Sequence, residues 1–432
     1  MTNIEEAEPT HDPRAGKEQG SSRRRLEDER FLTGRGRYVD DITLPSELFG
    51  HVLRAPVAHA RILALDTSAA QAAPGVVSVY TSADLEADGV GPLPCNVQIA
   101  TVSPLVVPPR PALARDRVRH VGDPVAFVVG ESAEAARDAA ELIVVEYEDL
   151  PCVIDCAAAL DAGAPAIWEE APGNLAFRFQ KGDRAAVDAA FTAAASTVEI
   201  ELENNRVVVA PLEPRAAIGS YEPASETFEL TLTGQGVHDM RQQLAQDVFR
   251  VAPQKIQLVA PDVGGGFGAK NILYPEWVLV LFATRKLGRP VRWTSERTED
   301  FLSSAQGRDN RTRARLALDE GGKFLALDIE TTADMGAYLS ALGPVIPTNS
   351  ASTAMGGVYD VPAVFMDVRG AFTNTVPVDA YRGAGKPEAN YIIERLVDAA
   401  ARKTGISPSE LRRRNIVSRF PHRTRPRHED AR

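Results

Sequence analysis

Cysteine is scarce in this chain of 432 residues, which contains Cys95, Cys152 and Cys156 and no others. Three thiols are too few for a disulfide framework, and Cys152 and Cys156 stand four residues apart rather than in a C-x-x-C pair. We interpret all three as small buried side chains. This cysteine content is compatible with the reducing environment of the cytoplasm.

Long apolar runs and an excess of basic residues are also missing. No run approaches the ~20 residues of a membrane helix, and residues 1–25 lack the apolar segment of a secretory signal. The net charge of −11 is opposite in sign to the field that a general nucleic-acid binder needs. We therefore expect a cytoplasmic protein that binds neither membranes nor nucleic acids.

What remains is an ordinary globular composition, with 44% hydrophobic and 25% charged residues. Polar ends predict disordered tails over residues 1–25 and 419–432. Short apolar runs predict a first domain over 26–158, in which a strand, a helix and a strand from Val125 to Tyr147 form a small α/β layer. Glycine and proline predict a linker over 159–175. Alternating strands and an amphipathic helix over 388–403 predict a second domain over 176–418.

The most distinctive local feature is a glycine loop that follows an apolar strand, in which four of the residues 264–268 are glycine. Such a loop can turn successive backbone N–H groups into one concavity that binds an anion or an oxo group. A tight turn without a ligand is the alternative. The Walker pattern fails at Ala269 and Asn271. A dinucleotide fingerprint is matched by Gly264, Gly266 and Ala269, but no acidic residue follows about 20 residues later.

Two other segments carry candidate binding groups. In Thr233–His238, the carboxamide of Gln235 can donate to an oxo ligand without adding charge, although the segment alone is more typical of a helix start. In Val378–Glu388, a loop leads into the amphipathic helix. Its Arg382 can bind an anion or pair with Glu388 or Asp379.

In order, the segments G-Q-G-x-H (234–238), G-G-G-F-G-x-K (264–270) and A-Y-R-G-x-G-x-P-E (380–388) resemble the molybdopterin-binding large subunit of the xanthine dehydrogenase, aldehyde oxidase and aerobic carbon monoxide dehydrogenase family. Residues 30–41 and 54–60 resemble the opening of its a/b hammerhead domain, and residues 121–126 and 210–216 are also similar. The resemblance covers about residues 26–420. It implies an α+β fold, with an a/b hammerhead domain followed by the first molybdopterin-binding domain.

The resemblance also implies a molybdenum hydroxylase, an oxidoreductase that inserts oxygen from water into an aldehyde or an N-heterocycle. The molybdenum would be held by the dithiolene of molybdopterin, in the cytosine dinucleotide form, and no protein side chain would ligate the metal. The cofactor-binding residues implied by the motifs are Gln235, Gly236, Gly265, Gly266, Phe267, Gly268, Arg382 and Gly383.

Three departures from the family pattern narrow the expected substrate. Gly383 stands where copper-dependent carbon monoxide oxidisers carry a cysteine, so we expect no copper. Asn271 stands where purine-oxidising relatives carry a glutamate, and Ala384 replaces an aromatic residue that stacks on flat substrates. We therefore expect neither carbon monoxide nor purine oxidation.

The chemistry implied by the resemblance needs partner chains. Because three cysteines cannot hold iron–sulfur clusters, [2Fe–2S] clusters and FAD are expected on a small and a medium subunit. Nothing after Phe420 resembles the second molybdopterin-binding half, which carries the general-base glutamate, so the catalytic residue of this chain is unknown. We expect a C-terminal-half chain as a further partner. The alternatives are an inactive remnant or binding scaffold without cofactor, and a nicotinamide-dependent dehydrogenase.

Overall fold

The computed structural model describes residues 25–418. The predicted tails lie outside this range, apart from Arg25. Of the described residues, 25–37 form one unit, which contains helix α1 (Asp28–Leu32). A second unit begins at Tyr38 and contains all the other elements.

Fifteen strands are present in the described residues of the second unit. They are β1 (Leu48–Arg54), β2 (Ala60–Asp66), β3 (Val76–Tyr80), β4 (Arg117–Val118), β5 (Pro124–Gly130), β6 (Val144–Asp149), β7 (Leu175–Gly182), β8 (Ser196–Asn204), β9 (Ala216–Glu222), β10 (Thr227–Leu232), β11 (Ile256–Val259), β12 (Val291–Thr294), β13 (Asn310–Leu318), β14 (Phe324–Gly336) and β15 (Ala363–Phe372).

Nine α-helices accompany these strands over the same range. They are α2 (Ser68–Gln71), α3 (Ser82–Ala87), α4 (Ala133–Ala140), α5 (Arg184–Ala193), α6 (Val237–Gln243), α7 (Pro275–Leu287), α8 (Arg297–Ser303), α9 (Lys386–Thr404) and α10 (Pro408–Asn415). In the part of the chain that the structure describes, no helix is both long enough and apolar enough to cross a bilayer.

The strands form three sheets. The largest has the order β11-β10-β9-β12-β1-β5-β3, the second β7-β15-β14-β13-β8, and the third β4-β2-β6. The mixture of sheets with separate helices confirms the α+β class. The strand, helix and strand predicted over 125–147 are present as β5, α4 and β6, but the two strands lie in different sheets. Every residue of β5 is buried, whereas β6 is mostly exposed, so the two strands have different surroundings.

The seven-stranded sheet draws strands from both sides of the predicted linker. Strand β1 pairs in parallel with β12, where Leu48 lies opposite Val291, and antiparallel with β5. Helix α7 packs against β9 and is buried from Pro275 to Thr284. Because this helix is apolar on all sides, it fills a core rather than covering a wet surface. The predicted domain limits stay a prediction.

Helix α9 is supported by the five-stranded sheet and was predicted from its apolar stripe. Its buried side chains, including Ile393, Leu396 and Val397, belong to one core with Leu327 and Val368 of the sheet. Left-handed glycines flank the helix at both ends, at positions 385 and 405. The loop that precedes α9 is therefore fixed to a rigid element.

Candidate functional site

Three loops that are distant in sequence meet at one place. The backbone N–H of Gln235 donates to the carbonyl of Lys270 at 2.7 Å, and the side-chain Oε1 of Gln235 accepts from the N–H of Gly268 at 2.9 Å. The N–H of Arg382 donates to the carbonyl of Phe267 at 2.8 Å, and its guanidinium lies 5.9 Å from the centre of the Phe267 ring. The structure thus brings together the residues predicted from all three motifs.

The glycines of the loop are required by close approach. A Cβ on Gly266 would lie 2.5 Å from Cδ of Gln235, and a Cβ on Gly268 would lie 2.5 Å from the carbonyl oxygen of Ala380. Gly268 also has a φ of +102°. Phe267 adopts a φ of 52°, which is uncommon for a bulky residue, and its ring is 44% exposed. The loop is therefore a tightly fitted bend that presents an aromatic ring outward.

Three consecutive backbone donors of this bend have no partner within residues 25–418. They are the N–H groups of Gly265, Gly266 and Phe267. Because Oε1 of Gln235 accepts from Gly268, the amide NH2 of Gln235 remains available to donate. A row of free N–H groups beside a neutral amide donor is suited to an anion or to metal-bound oxygen.

The third loop is held by Arg308 rather than by Arg382. The guanidinium of Arg308 donates to the carbonyls of Tyr381 at 2.8 Å and Arg382 at 3.0 Å, and it lies 3.3 Å from the carboxylate of Glu388. The carboxylate of Asp379 accepts from backbone N–H groups. Arg382 thus has no carboxylate partner within the described residues, and both predicted pairings, with Glu388 and with Asp379, are wrong. The side chain is exposed and can reach a ligand.

An ion pair between Lys270 and Glu213 holds the glycine loop on the interior side of the chain. The ammonium of Lys270, 1% exposed, lies 3.1 Å from Oε2 of Glu213 and donates to the Glu213 carbonyl at 2.8 Å. The same Oε2 accepts from the N–H of Gly264 at 2.6 Å. Burial lowers the pKa of Lys270, and the charge of Glu213 opposes this shift. Lys270 therefore joins the start of the bend to the Gln235 loop.

Further buried charged and polar side chains lie next to this ion pair. The hydroxyl of Tyr274 donates to the carbonyl of Ala269 at 2.7 Å, and Arg215 lies 3.9 Å from the Tyr274 ring centre. Burial raises the pKa of Tyr274 to about 12. Burial would also raise the pKa of Glu276, but the charges of Arg215 and Arg54 outweigh it and bring the pKa to about 2. These groups stay in fixed charge states near neutral pH.

The described residues contain no group of three or more His, Cys, Asp or Glu side chains that could hold a metal. Of the cysteines, Cys95 and Cys156 are buried, whereas Cys152 is exposed, so the prediction of three buried thiols is wrong for Cys152. The donor set at the three loops consists of N–H, amide and guanidinium groups. It fits a cofactor that brings its own metal ligands.

Sequence reasoning missed the supporting residues Glu213, Lys270 and Arg308. Glu213 and Lys270 stand inside segments that resemble the family, but their pairing across 57 positions is not visible in either segment. Arg308 and Asp309 have φ values of 67° and 68°, and no local sequence pattern predicts this backbone conformation. Only the folded chain shows that these side chains hold the loops.

Comparison with known proteins places this architecture in a family. Residues 167–416 match the model of the molybdopterin cofactor-binding domain, and residues 33–151 match that of the a/b hammerhead domain of aldehyde oxidase and xanthine dehydrogenase. The first match covers more than half of the chain. The chain belongs to the molybdopterin-binding large-subunit family of the molybdenum hydroxylases.

Individual relatives agree with this assignment. The chain is 34% identical to the carbon monoxide dehydrogenase large chain of Hydrogenophaga pseudoflava, over 92% of this chain and 50% of that one. The structure matches quinoline 2-oxidoreductase from Pseudomonas putida 86 with a TM-score of 0.85 and 37% identity, over 94% of this chain and 51% of that one. It is 28% identical to the nicotinate dehydrogenase large molybdopterin subunit of Eubacterium barkeri, over 91% of this chain and 88% of that one. The chain thus spans about half the length of the first two and most of the third.

Proposed function

We propose that this chain supplies one wall of the cofactor site of a molybdenum hydroxylase that acts on an aldehyde or an N-heterocycle. The observation that carries the proposal is the row of N–H groups from Gly265 to Phe267, which have no partner among the described residues and lie beside the amide of Gln235. Arg382 and Gly383 close the same site from the third loop. The family assignment supplies the identity of the ligand.

When bound, the molybdenum–molybdopterin cofactor would supply the redox chemistry of the reaction. The chain's own residues would bind and orient it. The N–H groups of Gly265, Gly266 and Phe267 would donate to its oxygen atoms, and the amide NH2 of Gln235 would add a donor without charge. Such fixed dipoles stabilise negative charge because they need no reorganisation.

We further propose the cytosine dinucleotide form of the cofactor, a cytoplasmic location, and partner subunits that carry [2Fe–2S] clusters and FAD. Two of the relatives are named as a large chain or a large subunit of an enzyme, which supports an assembly of several chains. The general-base glutamate would come from the half of the relatives' length that this chain does not match. The Eubacterium barkeri relative, of which the chain covers 88%, supports the idea that this half can be a separate polypeptide.

An exposed apolar surface beside the site supports such a partner. Pro211 and the Phe267 ring flank Gly265. Leu212, which follows Pro211 in the sequence, is 94% exposed. Arg297 donates to the Leu212 carbonyl at 2.8 Å and lies over Phe301, which is 42% exposed. An apolar surface at the rim of a binding site is typical of a protein interface.

Gly383 supports the proposal that copper is not used. Its φ is +96°, and a Cβ at this position would lie 2.6 Å from Cδ of Pro387. A cysteine there would be strained, so the loop as built does not present a thiolate. We propose oxidation of an organic substrate rather than of carbon monoxide. Asn271 and Ala384 support a substrate other than a purine.

The test is to express the chain alone and together with a candidate second-half chain and the two electron-transfer subunits. We expect molybdenum and pterin to copurify with the complete assembly, and dye-linked oxidation of aldehydes or N-heterocycles to depend on it. An assembly that forms without molybdenum would favour the inactive scaffold. Nicotinamide binding without molybdenum would favour the dehydrogenase alternative.

A further inference from the structure

Arg110 is a buried cation that has no counter-ion among residues 25–418. Four lysine and arginine side chains of the described residues are buried: Arg110, Arg215, Lys270 and Arg292. The last three each lie within 3.3 Å of a carboxylate oxygen. Arg110, 8% exposed, has no carboxylate within 4.0 Å and no hydrogen bond from its guanidinium in the range 25–418.

The carboxylates whose charges act on Arg110 have other partners. The carboxylate of Asp123 accepts from the Tyr338 hydroxyl at 2.9 Å and from the N–H of Arg119 at 3.0 Å. Glu276 is paired with two other arginines, at 2.6 and 2.9 Å. Asp379 accepts from backbone N–H groups. Both of these hydrogen bonds to Asp123 end on Oδ2, and its Oδ1 lies 3.6 Å from Nε2 of His120.

Aromatic rings also lie close to Arg110. Its guanidinium lies 5.9 Å from the centre of the Tyr338 ring, which packs edge-on against Trp168. Burial lowers the pKa of Arg110, and Tyr274, Tyr338 and the carboxylates of Asp123 and Glu276 only partly oppose this shift. Burial of an unpaired charge is costly, so chains normally pair it or leave it to a ligand.

The guanidinium is not fully enclosed by the protein. Some side-chain nitrogen and oxygen atoms in the described part of the chain are fully enclosed and lack a hydrogen bond. None of them belongs to Arg110. Since its nitrogens make no hydrogen bond, each keeps some contact with solvent. The planar guanidinium offers two parallel N–H donors, a geometry that matches a carboxylate.

We propose that Arg110 is the anchor of a carboxylate-binding site. The carboxylate could belong to a small organic anion or to an aspartate or glutamate of the chain that completes the assembly. Both sources present the same planar, bidentate group. This proposal does not depend on the molybdenum cofactor.

The first experiment follows the melting temperature of the full chain in increasing sodium acetate or benzoate, with sodium chloride at equal ionic strength as reference. We expect saturable stabilisation by the carboxylates only. The variant R110M should lose this response. The variant R115M, which removes an exposed arginine paired with Glu86, should keep it. A carboxylate response that survives in R110M would overturn the proposal.

A second comparison needs no ligand. In chloride buffer, R110M should melt at or above the temperature of the parent chain, because it removes an uncompensated charge. R215M, which breaks a buried pair, should melt far lower. If R110M is as damaging as R215M, Arg110 has an internal partner and the proposal is wrong.

The same variants in the assembly identify the source. If a partner carboxylate fills the site, acetate stabilises the isolated chain but not the assembly, and R110M weakens assembly at least tenfold. If the ligand is a small molecule, the assembly responds to acetate as the isolated chain does, and R110M assembles normally. No carboxylate response in the isolated chain, together with normal assembly of R110M, would exclude both sources.

Discussion

The amide of Gln235 shows how one side chain defines this site. Its oxygen is committed to the N–H of Gly268, so the orientation of the amide is fixed before a ligand arrives, with its NH2 end free. This geometry requires glycine at position 266, since a Cβ there would overlap the carboxamide of Gln235. The site is therefore preorganised by packing rather than by charge.

Replacing Gly266 by alanine should displace the Gln235 amide. We expect the chain to stay folded and the molybdenum content of the assembly to fall at least tenfold, because the donor row and the amide would no longer converge. Metal analysis of the purified assembly would check this. G356A is the matched control, since a Cβ there meets only one atom, at 3.8 Å. Equal metal content in both variants would contradict the role of the close approach.

The buried Asp334 should make stability depend on pH. Burial raises the pKa of Asp334 to about 6, and the charge of Arg206, 3.1 Å away, opposes the shift. The folded chain therefore holds this proton more tightly than the unfolded chain. The resulting stabilisation is complete below the ordinary value of 3.8 and is lost as the pH rises through 6.

D334N should remove this dependence. The difference in free energy of unfolding between parent and variant should change by about 2–3 kcal/mol between pH 4 and pH 7.5, at ~1.4 kcal/mol for each unit of pKa shift. Denaturant melts at several pH values measure it. Parallel curves for the parent and D334N would show that Arg206 neutralises the carboxylate completely.

Among the larger elements, helix α9 could be predicted and strand β9 could not. The stripe that contains Ile393, Leu396 and Val397 repeats at helical spacing and predicts which face is buried. Strand β9 contains small residues because it lies against helix α7. A Cβ on its Gly219 would lie 2.7 Å from Cγ1 of Val280. Because close packing against helix α7 requires small residues, β9 lacks the run of β-branched residues that would predict a strand.

The same distinction applies to the candidate site. The glycine loop and Gln235 stand in recognisable segments, and the sequence predicts that they belong together. The Lys270–Glu213 pair depends on two side chains meeting in the interior, which hydrophobic patterning does not encode. Whether these residues bind the cofactor stays a prediction.

The ion pair beneath the glycine loop should act as one unit. We expect E213Q and K270M each to lower the free energy of unfolding by about 3 kcal/mol, since each leaves a buried partner uncompensated. The double variant should cost much less than the sum, because the partners act together. Denaturant melts give the energies, and hydrogen exchange over residues 262–271 should quicken while helix α9 is unchanged. Additive losses would mean that the two residues act separately.

Copper should not bind when a thiol is placed in the third loop. G383C introduces a Cβ at a φ of +96° against Pro387, so we expect a lower melting temperature and no gain of copper. A384C is the control, because Ala384 already carries a Cβ at a φ of 43°. Stoichiometric copper in G383C, with the melting temperature unchanged, would show that the loop adapts to the thiol.

For the molecule as a whole, the seven-stranded sheet makes the two family segments interdependent. Residues 38–160 and 164–418, expressed separately, should each fail to unfold cooperatively, because β1 and β12 lose each other as partners and each fragment keeps only part of the sheet. Calorimetry of each fragment and of the mixture would check this. A chain cut only at the exposed Gly163, where a Cβ would meet nothing, should stay folded. Independent melting of either fragment would refute the interdependence.

The parallel pairing of β1 with β12 also has an evolutionary consequence. A gene that exchanged its hammerhead segment with a distant relative would have to match the register of Leu48 and Phe49 against Val291 and Arg292. Swapping at the linker alone would leave mismatched hydrogen bonds along a buried seam. Inheritance should therefore keep the two segments together, and their phylogenetic trees should have the same branching order.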